Sequence, residues 1–146
     1  MKRIAFTLAA LMLAASAYAE ISVKDPWVRA TVMQQNSTGV FMHLRSDKDM
    51  KLVAARSPVA GIVEIHEMMM HGETMHMHAI AGVDLPAGKD VALQPGGGYH
   101  IMLLDLKERV HAGSKVPMTL VFEGADGRKQ SVEIQATARV LNARSD

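Results

Sequence analysis

The fold is decided by the stretch Gly61-Ile62-Val63-Glu64-Ile65-His66-Glu67-Met68-Met69-Met70-His71-Gly72-Glu73-Thr74-Met75-His76-Met77-His78-Ala79-Ile80. Its first part alternates apolar and polar side chains, which predicts a strand with one buried face. The glycine in the middle marks a turn. We therefore predict two strands, Gly61–Glu67 and Thr74–Ile80, with the chain returning at His71-Gly72 as in a hairpin.

The same two-residue periodicity continues on both sides of this stretch. After Glu20, short alternating runs are separated by turn-forming residues, for example Pro95-Gly96-Gly97-Gly98. No convincing helical run appears. This pattern is typical of a single all-β domain, either a sandwich or a barrel. The predicted strands are Ile21–Thr31, Thr38–Ser46, Lys51–Ser57, Gly61–Glu67, Thr74–Ile80, Asp90–Gln94, Tyr99–Leu106, Val116–Glu123 and Gln130–Leu141.

The N-terminus has the three parts of a secretory signal peptide. Lys2 and Arg3 form a short positive region, Ile4–Ala15 is an apolar run, and Ala17-Tyr18-Ala19 is a small-residue cleavage site. The apolar run is shorter than the ~20 residues that a membrane-spanning helix needs, so cleavage is favoured over anchoring. We predict a signal peptide at residues 1–19 and an exported domain at residues 20–146 that has no membrane span.

Composition limits what the exported domain can bind. Loss of Lys2 and Arg3 changes the formal charge from +1 to −1, and no basic stripe suggests nucleic acid as a partner. The chain has no cysteine, so neither a disulfide framework nor a thiolate metal site can form. A blue-copper electron-transfer site is disfavoured for the same reason, because it needs a cysteine thiolate. Any soft metal ligand must therefore be methionine.

Histidine and methionine are concentrated in the stretch quoted above. Nine of the thirteen residues from His66 to His78 are one or the other, and His100-Ile101-Met102 adds a second, sparser piece. Imidazole nitrogen and thioether sulfur together suit copper, above all Cu(I), whereas Mg²⁺ and Ca²⁺ prefer oxygen ligands. The sequence therefore predicts a copper site.

Strand geometry decides which of these side chains can share one ion, because residues two apart lie on the same face. His100 and Met102 should emerge side by side. The return of the chain at Gly72 should let His66 and Met77 approach each other, and tertiary folding would then bring the two pairs together. The predicted ligands of the primary Cu(I) site are His66, Met77, His100 and Met102.

A single strand cannot turn every histidine and methionine of the cluster towards one ion. Met75 and Met77 are expected on one face of their strand, and His76 and His78 on the other. The remaining side chains are either bystanders or part of a second, looser site. The candidates for this auxiliary site are His71, Met75, His76 and His78.

A shell of two imidazoles and two thioethers suits a copper carrier better than an enzyme. Thioethers cannot form disulfides, so they can hold Cu(I) in an oxidising compartment where paired thiols are at risk. A full shell leaves no open position for a substrate. The imidazoles bind only when neutral, so affinity should fall as the pH drops through the usual histidine range near ~6.5. We predict no catalytic residues.

Other histidines and methionines are given structural explanations. Met33, Met42 and Met118 are expected to fill the core, as methionine often does. His43 is expected to face solvent or to be structural, and His111 lies in a predicted turn. None of them is predicted to bind metal.

At the predicted ligands the sequence resembles the periplasmic copper chaperone family known as PCu(A)C. The pattern of that family is a His, ten residues, a Met, about twenty-one residues, and then His-x-Met. Here ten residues separate His66 from Met77 and twenty-two separate Met77 from His100, because Gly96–Gly98 has one glycine more than the usual pair. The surroundings are also similar over nearly all of the exported domain, at Asp25–Ala30, Ser57–Ala60, Val63–Glu67, Leu85–Gly88 and Pro95–Leu103.

This resemblance implies a cupredoxin-like β-sandwich that binds one Cu(I) ion at an exposed edge. Members of the family act in the periplasm and deliver copper to the CuA centre of cytochrome c oxidase subunit II, often alongside Sco-type thiol chaperones. Some carry a His- and Met-rich C-terminal tail for a second copper, and residues 141–146 do not have that composition. We therefore assign an auxiliary, Cu(II)-capable site to His71, His76 and His78 as a hypothesis. We expect a monomer.

Two other functions remain open. A copper buffer or resistance protein would use the same four ligands without a dedicated acceptor, so a transfer assay distinguishes it from a chaperone. A metal-free immunoglobulin-like interaction domain would share only the fold. In that case copper affinity would not depend on the predicted ligands.

Overall fold

A computed structural model describes residues 18–140, which form ten β-strands. The predicted signal peptide, apart from Tyr18 and Ala19, lies outside the described residues, as do residues 141–146. Between residues 18 and 140 there is no helix long and apolar enough to cross a membrane. The strands are β1 (Ile21–Arg29), β2 (Thr38–Ser46), β3 (Met50–Arg56), β4 (Ala60–His71), β5 (Thr74–Ala79), β6 (Val83–Leu85), β7 (Val91–Leu93), β8 (Tyr99–Leu106), β9 (Lys115–Gly124) and β10 (Lys129–Arg139).

The strands form one continuous hydrogen-bonded sheet that folds over its own core. Its order is β5-β4-β8-β2-β1-β10-β9-β3-β6, and β7 pairs with β2. The ladder between β1 and β10 is parallel, whereas the ladders on either side of it are antiparallel. β3 and β4 lie far apart in the sheet order but pack against each other. The sheet therefore closes on itself as a β-sandwich, and the prediction of a single all-β domain is confirmed.

The core comes from one face of each strand. On β2, the side chains of Val40, Met42 and Leu44 are at most 1% exposed. His43 and Arg45, which lie on the opposite face, are exposed. This is the two-residue alternation that the sequence shows. Each large apolar side chain buried in this way contributes about 1.5–3 kcal/mol. The largest fully buried side chains are Phe122, Met42, Leu44, Leu52, Leu85, Leu93, Ile101, Leu103, Leu120, Val28, Val40 and Val83.

The predicted strands agree with the structure except at two places. The bounds of β2 and β8 are those predicted. The short strand β6 was not predicted, because its three residues lie between Gly82 and Pro86, which indicate turns. β4 continues to His71, well beyond the predicted end at Glu67. It does so because β5 pairs with it as far as the turn, where His71 lies opposite Thr74.

The structural explanation for the scattered methionines holds for two of the three. Met42 and Met118 are buried in the core. The prediction for Met33 was wrong, because this residue lies in the turn between β1 and β2 and is 76% exposed. His43 and His111 are exposed, as expected for residues without a packing role.

Candidate metal centre

Neighbouring strands bring the two predicted imidazole ligands together. β4 lies between β5 and β8 in the sheet. His66 on β4 is directly opposite His100 on β8, and the centroids of their rings are 5.5 Å apart. Directly opposed residues of an antiparallel pair point to the same face. The ladder between β4 and β8 therefore places both rings at one point on the outer face of the sheet.

Met102 shares this face. It lies two residues after His100 on β8 and opposite Glu64 on β4. Ile101, between the two predicted ligands, points the other way and is 0% exposed in the core. The predicted orientation of the His-x-Met pair thus agrees with the structure, and the same strand serves both the core and the candidate site.

Met77 borders the two imidazoles without lying opposite them. Its partner on β4 is Met68, whereas His66 pairs with Ala79. Since a two-residue step keeps to one face, Met77 is on the same face as His66 but one step nearer the hairpin turn. Its side chain is 49% exposed. Three rotatable bonds would allow the thioether to reach an ion beside His66.

The hydrogen bonding of His66 leaves one ring nitrogen free for a metal. Nε2 lies 2.7 Å from Oε2 of Glu64, two residues earlier on the same face. Nδ1 is buried, and none of the described residues provides it with a hydrogen-bond partner. When the proton is on Nε2, this nitrogen donates to the carboxylate and Nδ1 keeps its lone pair. A carboxylate on the second ring nitrogen is the usual surrounding of a metal-bound histidine, so these residues fit a metal at Nδ1.

The environment of His100 favours the neutral form of its imidazole. The residue is only 6% exposed. Burial, and to a smaller extent the charge of the neighbouring His66, lowers the pKa of His100 below the ordinary value of 6.5. A neutral ring can bind a metal, so protons compete at His100 only at lower pH than at an exposed histidine. In the metal-free protein, the unfolded chain takes up a proton at this ring at a higher pH than the folded chain does, so the free energy of unfolding falls as the pH drops below 6.5.

Aromatic side chains on β1 and β2 support the ring of His100, and sequence analysis missed them. The ring centroid of Phe41 lies 6.2 Å from that of His100 and 4.7 Å from that of Trp27. Gly39 makes room for this ring, because a Cβ at Gly39 would lie 2.8 Å from Phe41. The alternation of β2 does place Gly39 and Phe41 on one face. Only the strand order shows that this face adjoins β8.

The glycine-rich turn before β8 positions the base of the hairpin. Gly96 has a φ of +72°, in the left-handed region that favours glycine. A Cβ at Gly97 would lie 2.8 Å from Cγ of Gln94. The carbonyl of Gly98 accepts a hydrogen bond of 2.8 Å from the backbone N–H of Met68. Gly96 and Gly98 both have open space around them, but only Gly98 also lacks a positive φ. Of the three glycines, Gly98 is therefore the one where a side chain would fit.

Beyond this hydrogen bond, β4 and β5 extend past the first residue of β8 as a two-stranded hairpin. β8 begins at Tyr99, opposite Glu67. The side chains on the same side as His66 form a thioether face, and those on the opposite side form an imidazole face. The thioether face consists of Met68, Met70, Met75 and Met77, and the imidazole face includes Glu67, Met69, His71, His76 and His78.

The predicted auxiliary ligands are divided between these two faces. Met75 lies on the thioether face, so the hairpin backbone separates it from the three imidazoles. On the imidazole face, the ring centroids of His71 and His76 are 5.1 Å apart, and Nε2 of His78 lies 3.5 Å from Oε2 of Glu67. Across residues 18–140, no three His, Asp or Glu side chains are already grouped to hold a metal. An ion on the imidazole face would have to gather these exposed side chains.

Comparison with known proteins places the chain in a family. Residues 21–136 match the model of the family described as "Putative lipoprotein LpqE-like". The chain belongs to this family. A similar LpqE-like relative is the protein named "Putative lipoprotein Lxx21020" from Leifsonia xyli subsp. xyli (strain CTCB07). It is 32% identical over 117 residues, which cover 78% of this chain and 68% of the relative.

Two solved structures that are similar to this LpqE-like chain contain copper. The copper-bound PCuAC domain from PmoF2 has a TM-score of 0.65 and 25% identity, over 82% of this chain and 92% of that domain. The solution structure of CuI-DR1885 from Deinococcus radiodurans has a TM-score of 0.63 and 30% identity, over 88% of this chain and 85% of that one. The resemblance to the PCu(A)C family and the cupredoxin-like β-sandwich that it implied are confirmed.

Glu64 was not among the predicted site residues, and its contact with His66 can be tested. We expect Glu64→Ala to lower Cu(I) affinity about 10–100-fold, the usual effect of removing a partner that orients a metal-binding histidine. Glu64→Gln should lose less, because its amide oxygen can still accept the Nε2 proton. Competition with a chromophoric Cu(I) chelator measures both. Glu73→Ala, at the exposed hairpin turn, removes the same charge as a control, and equal effects of the two alanine variants would rule out the orienting role.

Proposed function

We propose that this protein is a periplasmic copper chaperone that binds one Cu(I) ion and passes it to an acceptor protein. The proposed ligands are His66, Met77, His100 and Met102. The observation that carries the proposal is the buried Nδ1 of His66, unpartnered among the described residues and opposite the buried ring of His100. Membership of the family, and the copper found in similar structures, supports copper as the ion.

The exposure of the four ligands suits transfer by ligand exchange. The imidazole of His100 is buried and that of His66 is nearly so, whereas the side chain of Met77 is 49% exposed and that of Met102 is half-buried. An incoming ligand from an acceptor can reach the thioether side first. Met77 would leave before the imidazoles, and the ion would remain Cu(I) throughout, so the transfer requires no electron. The protein therefore acts as a carrier and not as a catalyst.

We propose the CuA centre of cytochrome c oxidase subunit II as the acceptor, with a Sco-type thiol chaperone as a second partner. This assignment rests on the resemblance to the PCu(A)C family. The predicted signal peptide at residues 1–19 would place the protein in the same compartment as that centre. A copper buffer without an acceptor remains the second candidate, because it needs the same ligands and the same exposed edge.

Transfer to an isolated CuA domain tests the proposed function. The Cu(I)-loaded protein is mixed anaerobically with the metal-free domain, the two are separated, and copper is measured in each. We expect copper to move to the CuA domain within minutes, and faster than from a small-molecule Cu(I) complex of matched affinity. Equal rates from both donors would favour the buffer over the chaperone.

We also propose that the imidazole face of the hairpin binds Cu(II) weakly through His71, His76 and His78. Imidazole suits Cu(II) better than thioether does, and the proximity of the rings of His71 and His76 supports a shared ion. Cu(II) spectroscopy on a variant with all three histidines replaced by glutamine tests this site. Persistence of the second binding event in that variant would refute it.

A further inference from the structure

The thioether face of the hairpin carries more sulfur than the proposed primary site can use. Met70 lies directly opposite Met75, and Met68 lies directly opposite Met77. Two thioether pairs therefore stand one behind the other along the hairpin, all on the same side as His66. The primary site uses only Met77 of these four, which leaves Met68, Met70 and Met75 without a role.

Packing does not explain Met70 and Met75, and Met68 on the same face is only partly buried. Met70 is 60% exposed and Met75 is 46% exposed. This part of the hairpin extends past the first residue of β8, so in the described chain its strands pair only with each other. Methionine commonly fills gaps in a core, but these side chains are on an outer face of the sheet. If these positions served only to form a strand, we would expect polar or β-branched residues on such an exposed surface.

The geometry brings the three thioethers within reach of one ion. Opposed residues have Cβ atoms about 4.5–5.5 Å apart, and residues two apart on a strand are separated by about 6.6–6.8 Å along it. Met70 and Met75 meet the first condition, and Met68 and Met70 meet the second. A methionine side chain has three rotatable bonds, so its sulfur can cover these distances. The nearest imidazole on that face belongs to His66 of the proposed primary site, and three neutral thioethers select a soft monovalent ion over Cu(II) or Zn²⁺.

We propose that Met68, Met70 and Met75 form a second Cu(I) site, distinct from the primary site and made of sulfur alone. It is on the same face as His66 and one residue pair further from the core, so an ion held there lies next to Met77. Exchange of one thioether for Met77 would move the ion towards His66 and His100 without any change of oxidation state. The outer thioether site would then load the primary site from solvent. The loading role rests on the proposed function, whereas the binding of Cu(I) to the outer site does not.

Cu(I) stoichiometry in matched variants tests the outer site. The protein, a Met70→Leu/Met75→Leu variant and a His66→Ala/His100→Ala variant are titrated anaerobically against a chromophoric Cu(I) chelator. Leucine is close to methionine in volume and both positions are exposed, so the first variant should fold as the parent does. Met33→Leu is the control, because Met33 is also exposed but lies in the loop between β1 and β2.

We expect two Cu(I) ions per chain for the parent and for Met33→Leu, and one ion for each of the double variants. X-ray absorption on the histidine double variant should show a shell of sulfur only. With stoichiometric Cu(I), loading of the primary site should slow several-fold in Met70→Leu/Met75→Leu. If that variant still binds two ions, or if the histidine double variant binds none, the outer site does not exist. If the methionine variant binds none while the histidine variant keeps one sulfur-bound ion, the outer site stands and the primary site fails.

Discussion

Replacing Met77 and Met102 together by leucine should lower Cu(I) affinity at the primary site by more than ~100-fold. Loss of an outer partner of a ligand already lowers metal affinity about 10–100-fold, and this double variant removes two proposed ligands. The remaining pair, His66 and His100, has no soft ligand to favour Cu(I) over Cu(II). Competition with a Cu(I) chelator of known affinity measures the change.

The same substitutions should also change the atoms around the ion. The comparison is best made in a chain that already carries Met70→Leu and Met75→Leu, so that the outer thioethers do not replace the missing sulfur. X-ray absorption on the Cu(I)-loaded protein should then show nitrogen with little sulfur, whereas the chain that keeps Met77 and Met102 should show both. An unchanged sulfur contribution would move the ligands elsewhere. Met33→Leu, in an exposed turn, should have no effect.

Ile101→Ala should produce a large loss of stability, about 2–5 kcal/mol of unfolding free energy. Ile101 is 0% exposed, so its truncation removes buried apolar surface and leaves a cavity. Ile101→Val is the matched control, with an expected loss of about 0.5–1.5 kcal/mol. Urea denaturation of the metal-free variants gives both values.

The copper affinity of folded Ile101→Ala should stay within a few-fold of the parent. Its side chain is on the opposite face of β8 from His100 and Met102, so it cannot touch the ion. Ile101 and Met102 are adjacent in sequence, and we expect one to affect stability and the other to affect binding. A drop in affinity for Ile101→Ala as large as that for the methionine variant would show that the strand is too mobile for this separation.

The local sequence was sufficient to predict most of the strands and the faces on which their side chains lie. Alternation predicted that His100 and Met102 emerge on one face of their strand, because neighbouring side chains on a strand must point in opposite directions. The glycine at Gly72 was sufficient for the hairpin turn, since its positive φ of 65° is open to glycine at little steric penalty. The imidazole and thioether types of the candidate ligands were enough to indicate copper.

The pairing of the strands could not be predicted from the sequence, and this pairing determines the rest of the site. Nothing local shows that β4 lies between β5 and β8, that His66 is opposite His100, or that Glu64 reaches Nε2 of His66. The length of the hairpin also depended on pairing, because Met68 to His71 become a strand only beside β5. Register is a property of two segments at once, fixed by burial of one shared face. The sequence alone therefore determined which side chains are candidates for binding copper and the face on which those of the predicted strands lie, whereas only the tertiary structure decided which of them meet.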